Sequence, residues 1–534
     1  MKKVILIIFL FIAVTITATA QTAPAIQWQN AIGGKHAGYV TKMSPTNDGG
    51  YIAVGTVDSL NGSYLPNFHP GDEDVWVAKL DAHCNIIWQK CYGSKGADYA
   101  NIIHQTKDGG YIIGGKPGTN DGDVSGDHGG GDIWVVKLSD KGDLQWQKCL
   151  GGSDVDVVHS IIQTKDDGYI LAGFTKSDDG DVTGFHFVWP YLNDDGWVVK
   201  LDSTGKIEWQ KCLGGIEEDA MFDVLQNDDG SYMVAGASSS VDGDVSGNHG
   251  GSDSWVVKLS DKGVIVWQKC YGGSKMDFTR IIKKTFDGGY ILGGETTSND
   301  GEVSGNHGGS GDDDWLFKID SIGNILWQNC YGGSDLENLF SLETTKDNGS
   351  IFCGVTRSDD GDVTGFHGND DYWVVKIDNL GKIEWERCLG GIIGGQAYNV
   401  YQIKDGGYII GGISDAQAGD GDVTVHYNMD SVSISDNWWV VKLAFEPKAI
   451  QVIYSNYQLN MYPNPAHNSI GIQTDNVKEI RILDVAGKLY LHKKINTASN
   501  IFTYLNIQYL AKGVYVVQAI GNDENIKVGE LMVE

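Results

Sequence analysis

Positive charge is scarce in this chain. Its 534 residues hold 40 Lys and Arg against 70 Asp and Glu, a formal net charge of −30. That balance excludes nucleic acid and an anionic membrane surface as partners, because both are held by cationic patches. It suits solubility and cations. Catalytic signatures are missing as well: there is no nucleophile with its base, no zinc-ligand spacing and no phosphate loop. The Gly-rich stretches are turns recurring at a fixed period, without a strand–GxGxxG–helix setting, so the chain is read as no enzyme. Beyond residue 20 no segment is long and apolar enough to cross a bilayer. Disulfide spacing is absent too. Six of the eight Cys (Cys91, Cys149, Cys212, Cys270, Cys330 and Cys388) occupy one position of a repeat. Equivalent positions a whole unit apart cannot be bridged, so these are small buried apolar residues. Cys84 and Cys353 fall outside the register, and their pairing is left open.

What is present begins with an export signal. Lys2 and Lys3 precede the apolar ILIIFLFIAV, and Ala18-Thr19-Ala20 offers a cleavage site before Gln21. No Cys follows the apolar run, so lipid anchoring there is not expected. Removal of residues 1–20 takes away Lys2 and Lys3 and leaves −32. From residue 454 onward seven Lys and Arg balance seven Asp and Glu, so the whole acidic excess lies in 21–453. That asymmetry marks a domain boundary.

A repeat fills the acidic part. WVVKLSDKGDLQWQKCLGGSD at 134–154 has variants along most of the chain. The first Trp recurs as Trp76, Trp134, Trp197, Trp255, Trp315, Trp373 and Trp439, the second as Trp28, Trp88, Trp146, Trp209, Trp267, Trp327 and Trp385, in steps of 58 to 66 residues. A fixed period of this size means an array of one supersecondary unit. Within 97–149, ADYANIIHQT reads as a first strand, an Asp-Gly turn leads into YIIGG, a polar loop follows, and IWVVKLS and DLQWQKCLGG are joined by SDKG. Both faces of these strands are apolar. A lone sheet would leave one face wet, whereas sheets packed around an axis bury both. First strands near 39, 99, 157, 220, 278, 338 and 398 predict seven four-stranded blades, an all-β propeller over 21–443. An isolated fourth strand at 26–34 and a last unit that stops at WWVVKL predict that the N-terminal strand completes the last blade. An open solenoid would leave that strand unexplained. The period makes fourteen of the sixteen Trp framework; Trp189 and Trp438 stand outside it.

The loop between second and third strands carries the one chemical motif. It reads DGDVSGDH at 121–128, with variants at 179–186, 242–249, 300–307, 360–367 and 420–426. Alternating oxygen side chains before a Gly resemble the first half of an EF-hand loop. The calcium reading takes Asp121, Asp123, Ser125 and Asp132 in blade 2, Asp242, Asp244, Ser246 and Asp253 in blade 4, and Asp360, Asp362, Thr364 and Asp371 in blade 6. Against it stand Asp in place of Glu at position 12 and the lack of flanking helices. The competing reading has these residues capping their own turns, with the Asp before each framework Trp steadying the start of the third strand. The His that closes each motif (His128, His186, His249, His307, His367, His426) is expected to bond its own loop backbone. Three loops break the pattern with aromatic residues: Tyr64 and Phe68 in blade 1, Phe185, Phe187, Trp189 and Tyr191 in blade 3, and Tyr427 in blade 7. They are candidates for partner binding or for covering the face of the ring.

After a linker at 444–457 the pattern changes to short alternating strands over 458–534, a small Ig-like β-sandwich. Tyr462-Pro463-Asn464-Pro465, the IRILD strand with AGK at 480–488, Lys512-Gly513-Val514-Tyr515 and Lys527 together resemble the type A sorting domain of the type IX secretion system. The resemblance implies Sec export, passage across the outer membrane by the type IX machinery, and surface attachment or release. The blades resemble propeller repeats of exported bacterial proteins and, more distantly, kelch repeats; that likeness implies no activity. The sequence is thus read as a secreted or cell-surface monomer acting as a binding or scaffold module for a surface glycan or protein. The alternative is a glycan-active hydrolase or lyase with its site on the loop-rich face.

Overall fold

The computed structural model describes residues 23–32, 40–58, 65–186, 193–309, 311–416, 418–425, 437–444, 459, 461–473, 477–484, 489–495, 502–521 and 526–533. The signal segment, most of the linker, and Tyr64, Phe187, Trp189, Tyr191, His426 and Tyr427 lie outside them. The chain divides into two compact units, Met1–Ala444 and Phe445–Glu534.

The first unit opens with β1 (Ile26–Ile32). Blade 1 holds β2 (Val40–Pro45), β3 (Tyr51–Val57), β4 (Asp74–Leu80) and β5 (Ile86–Tyr92). Blade 2 holds β6 (Tyr99–Gln105), β7 (Tyr111–Lys116), β8 (Ile133–Leu138) and β9 (Leu144–Leu150). Blade 3 holds β10 (Asp156–Gln163), β11 (Tyr169–Thr175), β12 (Asp195–Leu201) and β13 (Ile207–Leu213). Blade 4 holds β14 (Asp219–Gln226), β15 (Tyr232–Ser238), β16 (Asp253–Leu259) and β17 (Ile265–Tyr271). Blade 5 holds β18 (Asp277–Lys284), β19 (Tyr290–Thr296), β20 (Asp313–Ile319) and β21 (Ile325–Tyr331). Blade 6 holds β22 (Glu337–Thr344), β23 (Ser350–Thr356), β24 (Asp371–Ile377) and β25 (Ile383–Leu389). Blade 7 holds β26 (Gly395–Gln402), β27 (Tyr408–Ser414) and β28 (Asn437–Leu443), and its fourth strand is β1, antiparallel to β28 with Trp28 opposite Lys442 and Ile32 opposite Trp438. The protein is a seven-bladed propeller.

The first strand of every blade meets the first strands of its neighbours, β2 touching both β6 and β26, so these seven strands form the wall of the axis. Apolar residues on both faces follow from this packing. The second and third strands are buried almost throughout, as in β12, because a neighbouring blade covers each face. Outer strands such as β5 are half-exposed. The first-row Trp are buried, and each ring nitrogen of Trp76, Trp134, Trp197, Trp255 and Trp315 donates to a Gln on the adjacent fourth strand at 2.7–3.0 Å. The second-row Trp are half-buried, apart from the buried Trp385. They lie over a turn of the next blade: a Cβ on Gly205 (φ +80°) would come within 2.8 Å of the Trp146 ring. Only Gly supplies both that conformation and that clearance.

The Lys of each third strand reaches the Asp-Gly turn between first and second strands. Lys79 meets Asp48 at 2.9 Å, Lys137 meets Asp108 at 3.0 Å and Lys200 meets Asp166 at 3.0 Å. All eight Cys are buried free thiols; Cys84 and Cys353 join the other six in the core, and burial raises the Cys91 thiol to about 12.

The second unit has two sheets. One is ordered β29 (Met461–Tyr462), β30 (Ser469–Gln473) and β33 (Phe502–Asn506). The other is ordered β32 (Leu489–Lys494), β31 (Val477–Asp484), β34 (Gly513–Gly521) and β35 (Ile526–Val533). Ile470, Ile480, Ile482, Leu505, Val517 and Leu531 form its core.

Candidate ligand site

The DGDV loops are clasps between blades. The backbone amides of Asp123, Asp181, Asp244, Glu302, Asp362 and Asp422 donate to the carbonyls of Gly93, Gly151, Gly214, Gly272, Gly332 and Gly390, the links leaving the preceding blade, at 2.8–3.0 Å. The first Asp of each motif caps the same link: Asp121 accepts from the Lys95 amide at 2.9 Å, Asp242 from Ile216 at 3.0 Å and Asp360 from Ser334 at 2.7 Å. The hydroxyls of Ser125 and Ser246 accept from Gln147 and Gln268 at 2.6 and 2.5 Å, and that of Thr364 donates to Glu386. Asp132, Asp253 and Asp371 turn to the His of their own loop. Each accepts from the backbone amide of His128, His249 or His367, and the His Nδ1 lies 2.7–2.8 Å from the same oxygen.

The expected His–backbone bond is therefore replaced by a His–Asp pair. His69–Asp74, His186–Asp195 and His307–Asp313 repeat it at 3.3, 2.7 and 2.7 Å. On its other side His Nε2 faces the acid at the third position of the next DGDV motif, His186 to Asp244 at 3.9 Å and His307 to Asp362 at 3.7 Å. The proposed calcium ligands of a loop thus go to different partners. Among the described residues no three His, Cys, Asp or Glu side chains are placed to hold a metal ion.

A second acid stands at each of several seams. A Cβ on Gly151 would lie 2.2 Å from Asp156 Oδ2 and 3.2 Å from Asp132 Oδ1, so the two carboxyls flank the same glycine. Burial pushes Asp156 and Asp219 up to about 6, and Asp74 likewise, against the opposing pull of His69. The Oδ1 atoms of Asp74, Asp132, Asp253 and Asp371 are buried and have no hydrogen-bond partner among the described residues. Two desolvated carboxyls this close favour the neutral form.

Of the aromatic loop residues, Phe68 and Phe185 are half-buried and pack onto the cores of blades 1 and 3. The more exceptional surface is elsewhere. A cavity of about 620 Å³ opens on the axis, lined by the first strands of all seven blades. At the residue following the Cβ position opposed by the second-strand Gly, the blades present Thr41, Asn101, His159, Phe222, Arg280, Phe340 and Tyr398. A bulge in every first strand turns this residue inward. Three positions on, the equivalent residues Ser44, His104, Ile162, Leu225, Lys283, Glu343 and Tyr401 are seven different amino acids. The frame is therefore repetitive and the axis is not.

Charges in the cavity are unevenly matched. Lys283 pairs with Glu343 at 2.8 Å. Asp223 accepts from the Ser160 hydroxyl at 2.8 Å and the Ile282 amide at 3.1 Å. Lys42 makes no ion pair among the described residues, and burial, with Lys283 beside it, lowers its pKa. Burial also pushes His104 down to about 3 and His159 to about 4, so both are neutral. The alternation of the first strands signals only strand; the divergence is legible in the sequence where the seven copies are aligned.

In the second unit Asn464 accepts from the Met532 amide at 2.8 Å, Tyr515 is buried with its hydroxyl donating to the Ala511 carbonyl at 3.0 Å, and Tyr462 is exposed. Gly513 opens β34, and Lys527 stands opposite Ala519 in the β34–β35 ladder. Pro463 and Pro465 flank Asn464 in the turn after β29. Residues 460–534 match the family described as the secretion system C-terminal sorting domain. This unit is a type IX sorting domain. The sorting domain directs the chain through type IX secretion, to the cell surface or into the medium. No helix of the described residues is long and apolar enough to cross a membrane.

Comparison with curated proteins finds no match. Among solved structures, hydrazine synthase of Kuenenia stuttgartiensis is similar at 11% identity, with 58% of this chain and 74% of that chain covered and a TM-score of 0.37. Sqt1 from Chaetomium thermophilum is similar at 13% identity over 77% of this chain and 97% of that one, TM-score 0.37. The Synechocystis apocarotenoid oxygenase is similar at 13% identity over 74% and 88%, TM-score 0.34.

Proposed function

We propose that the exported propeller is a binding module of the cell surface and that its ligand is taken on the axis. One observation carries this reading: seven near-identical blades place dissimilar side chains around one cavity of about 620 Å³, a volume in the range of small-ligand sites. Repetition serves folding, and divergence confined to a concave wall serves recognition. The DGDV loops stiffen the ring in this reading and hold no metal. A glycan-cleaving reading is less well supported, because Asp223 and Glu343 are both committed to partners inside the protein and His104 and His159 are buried among cations.

The test is a panel of oligosaccharides and small organic molecules titrated calorimetrically into the purified full chain, with Phe340→Ala and Tyr398→Ala as axial variants and Thr364→Ala as a loop variant. A ligand whose affinity falls in the axial variants and holds in the loop variant supports the proposal. A ligand lost in the loop variant alone moves the site to the loop face.

A further inference from the structure

Two cations on the axis have donors to spare, whereas the acids there already accept from partners within the protein. Arg280 Nε lies 2.7 and 3.0 Å from the two oxygens of Glu295, which is fully buried. The guanidinium carbon sits 5.0 Å from the Phe278 ring centroid and 5.6 Å from that of Phe340. Glu295 and the two rings therefore hold the guanidinium in place, as a stacked and hydrogen-bonded Arg is held. Neither of its terminal nitrogens has a protein hydrogen-bond partner among the described residues. Lys42, on the first strand of blade 1, which does not adjoin blade 5, lines the same cavity and has no ion pair among the described residues either, since Glu343 is taken by Lys283 and Asp223 by Ser160 and Ile282.

Part of the wall is aromatic. Phe340 and Tyr398 stand with ring centroids 5.0 Å apart, and Tyr398 is stacked on Trp438 at 5.9 Å with an interplanar angle of 11°. His159 is 4.9 Å from Phe222. A fixed guanidinium with a free edge recognises a planar anion through paired N–H bonds. Flat side chains beside it offer a face to a ring.

We infer that the axial site takes a carboxylate borne on a six-membered ring, the chemistry shared by a uronic acid and an aromatic acid. The inference rests on the axial reading proposed above. In a chain carrying −30 overall, such an anion is drawn by these two local cations and not by the field of the whole molecule.

The experiment titrates the purified full chain with digalacturonate and with 4-hydroxybenzoate. The neutral counterparts are digalactose and 4-hydroxybenzamide, and the variants are Lys42→Met and Arg280→Gln. The expected result is that one acid binds, that its neutral counterpart binds at least about tenfold more weakly, and that each variant loses at least about tenfold in affinity for the acid. The acid that binds identifies the source. Lys42→Met removes a half-buried unpaired amine, so its melting temperature is expected to hold or rise, which separates lost recognition from misfolding. Equal binding of acid and neutral compound, or undiminished acid binding in Lys42→Met, overturns the carboxylate inference and leaves the axial site in place. Failure of both acids also overturns it, and the axial reading is then decided by whatever ligand the Phe340→Ala comparison identifies.

Discussion

Among the described residues Asp314 is a carboxyl without a partner. Both of its oxygens are buried and unbonded, its residue is fully buried, and burial together with Glu295, Glu337 and Asp313 raises its pKa well above the ordinary value. The other blades place Val75, Ile133, Gly196, Ser254, Tyr372 and Trp438 at this point of the third strand. An unsatisfied buried polar group costs about 1–3 kcal/mol, so Asp314→Val is expected to raise the melting temperature in a thermal scan. A fall, or a loss of ligand affinity, would show that Asp314 supports the Arg280–Glu295 pair.

Titration is a matter of single residues as well. Asp74, Asp156 and Asp219 stand near 6 in the fold because they are buried, above the ordinary value near 4. The fold then binds more protons than the unfolded chain between those values. The stability these residues contribute is full below about pH 4 and is lost as pH rises through about 6. Asp48 and Asp287 act in the opposite sense. The Thr46 hydroxyl and Lys79 hold Asp48 near 2, and Lys318 and Thr285 do the same for Asp287, so their contribution is lost as pH falls through about 2. Melting temperature is therefore expected to peak near pH 4–5 and to decline toward both pH 2 and pH 7.5. A maximum at pH 7.5 would mean that something other than a proton neutralises the seam carboxyls.

At the scale of the element, the loops and the first strands exchange the roles their compositions suggest. The DGDV loops look like a site, being rich in oxygen ligands and regular in spacing. In three dimensions those oxygens meet backbone amides and His rings of their own and adjacent blades. Thermal unfolding with excess calcium and with chelator is expected to give the same midpoint, since only a ligand selective for the native state shifts it. A calcium-dependent rise would show that the clasps open to take the ion. First strands look like ordinary framework, yet their bulge aims one residue per blade at the axis. Seven blades then bring together His159, Phe222, Arg280 and Phe340, which are 58 to 63 residues apart in sequence. Spacing along the chain cannot show which of those residues meet across a ring.

The molecule as a whole is held by its closure. Gln29 of β1 accepts from the Trp439 indole at 3.0 Å and the Thr424 amide at 3.0 Å, and donates to the Asp422 carbonyl at 2.7 Å. Arg387 of blade 6 donates to the Pro24 carbonyl at 2.7 Å. Deleting residues 26–32 leaves β28 as an open edge beside a bared Trp439. The expected outcome is a loss of several kcal/mol, at about 1 kcal/mol for each main-chain hydrogen bond removed, with self-association through the new edge. Denaturation and sedimentation of the deleted chain check both; an unchanged midpoint and a monomer would show that the ring does not depend on β1.

The amino-acid sequence by itself determined the strand pattern, the seven-fold repeat and the sorting domain. Each of these is a local signal, a turn, an alternation or a motif, repeated or contiguous along the chain. Only the tertiary structure decided where the chemistry lies. The Lys that crosses to the Asp-Gly turn, the seam carboxyls and the axial wall are contacts between segments distant in sequence, and the His–Asp pairs close within loops whose shape those contacts fix. Which of two oxygen-rich or polar stretches stays free for a ligand depends on what the neighbouring blade takes from it, and that is set by packing around the ring.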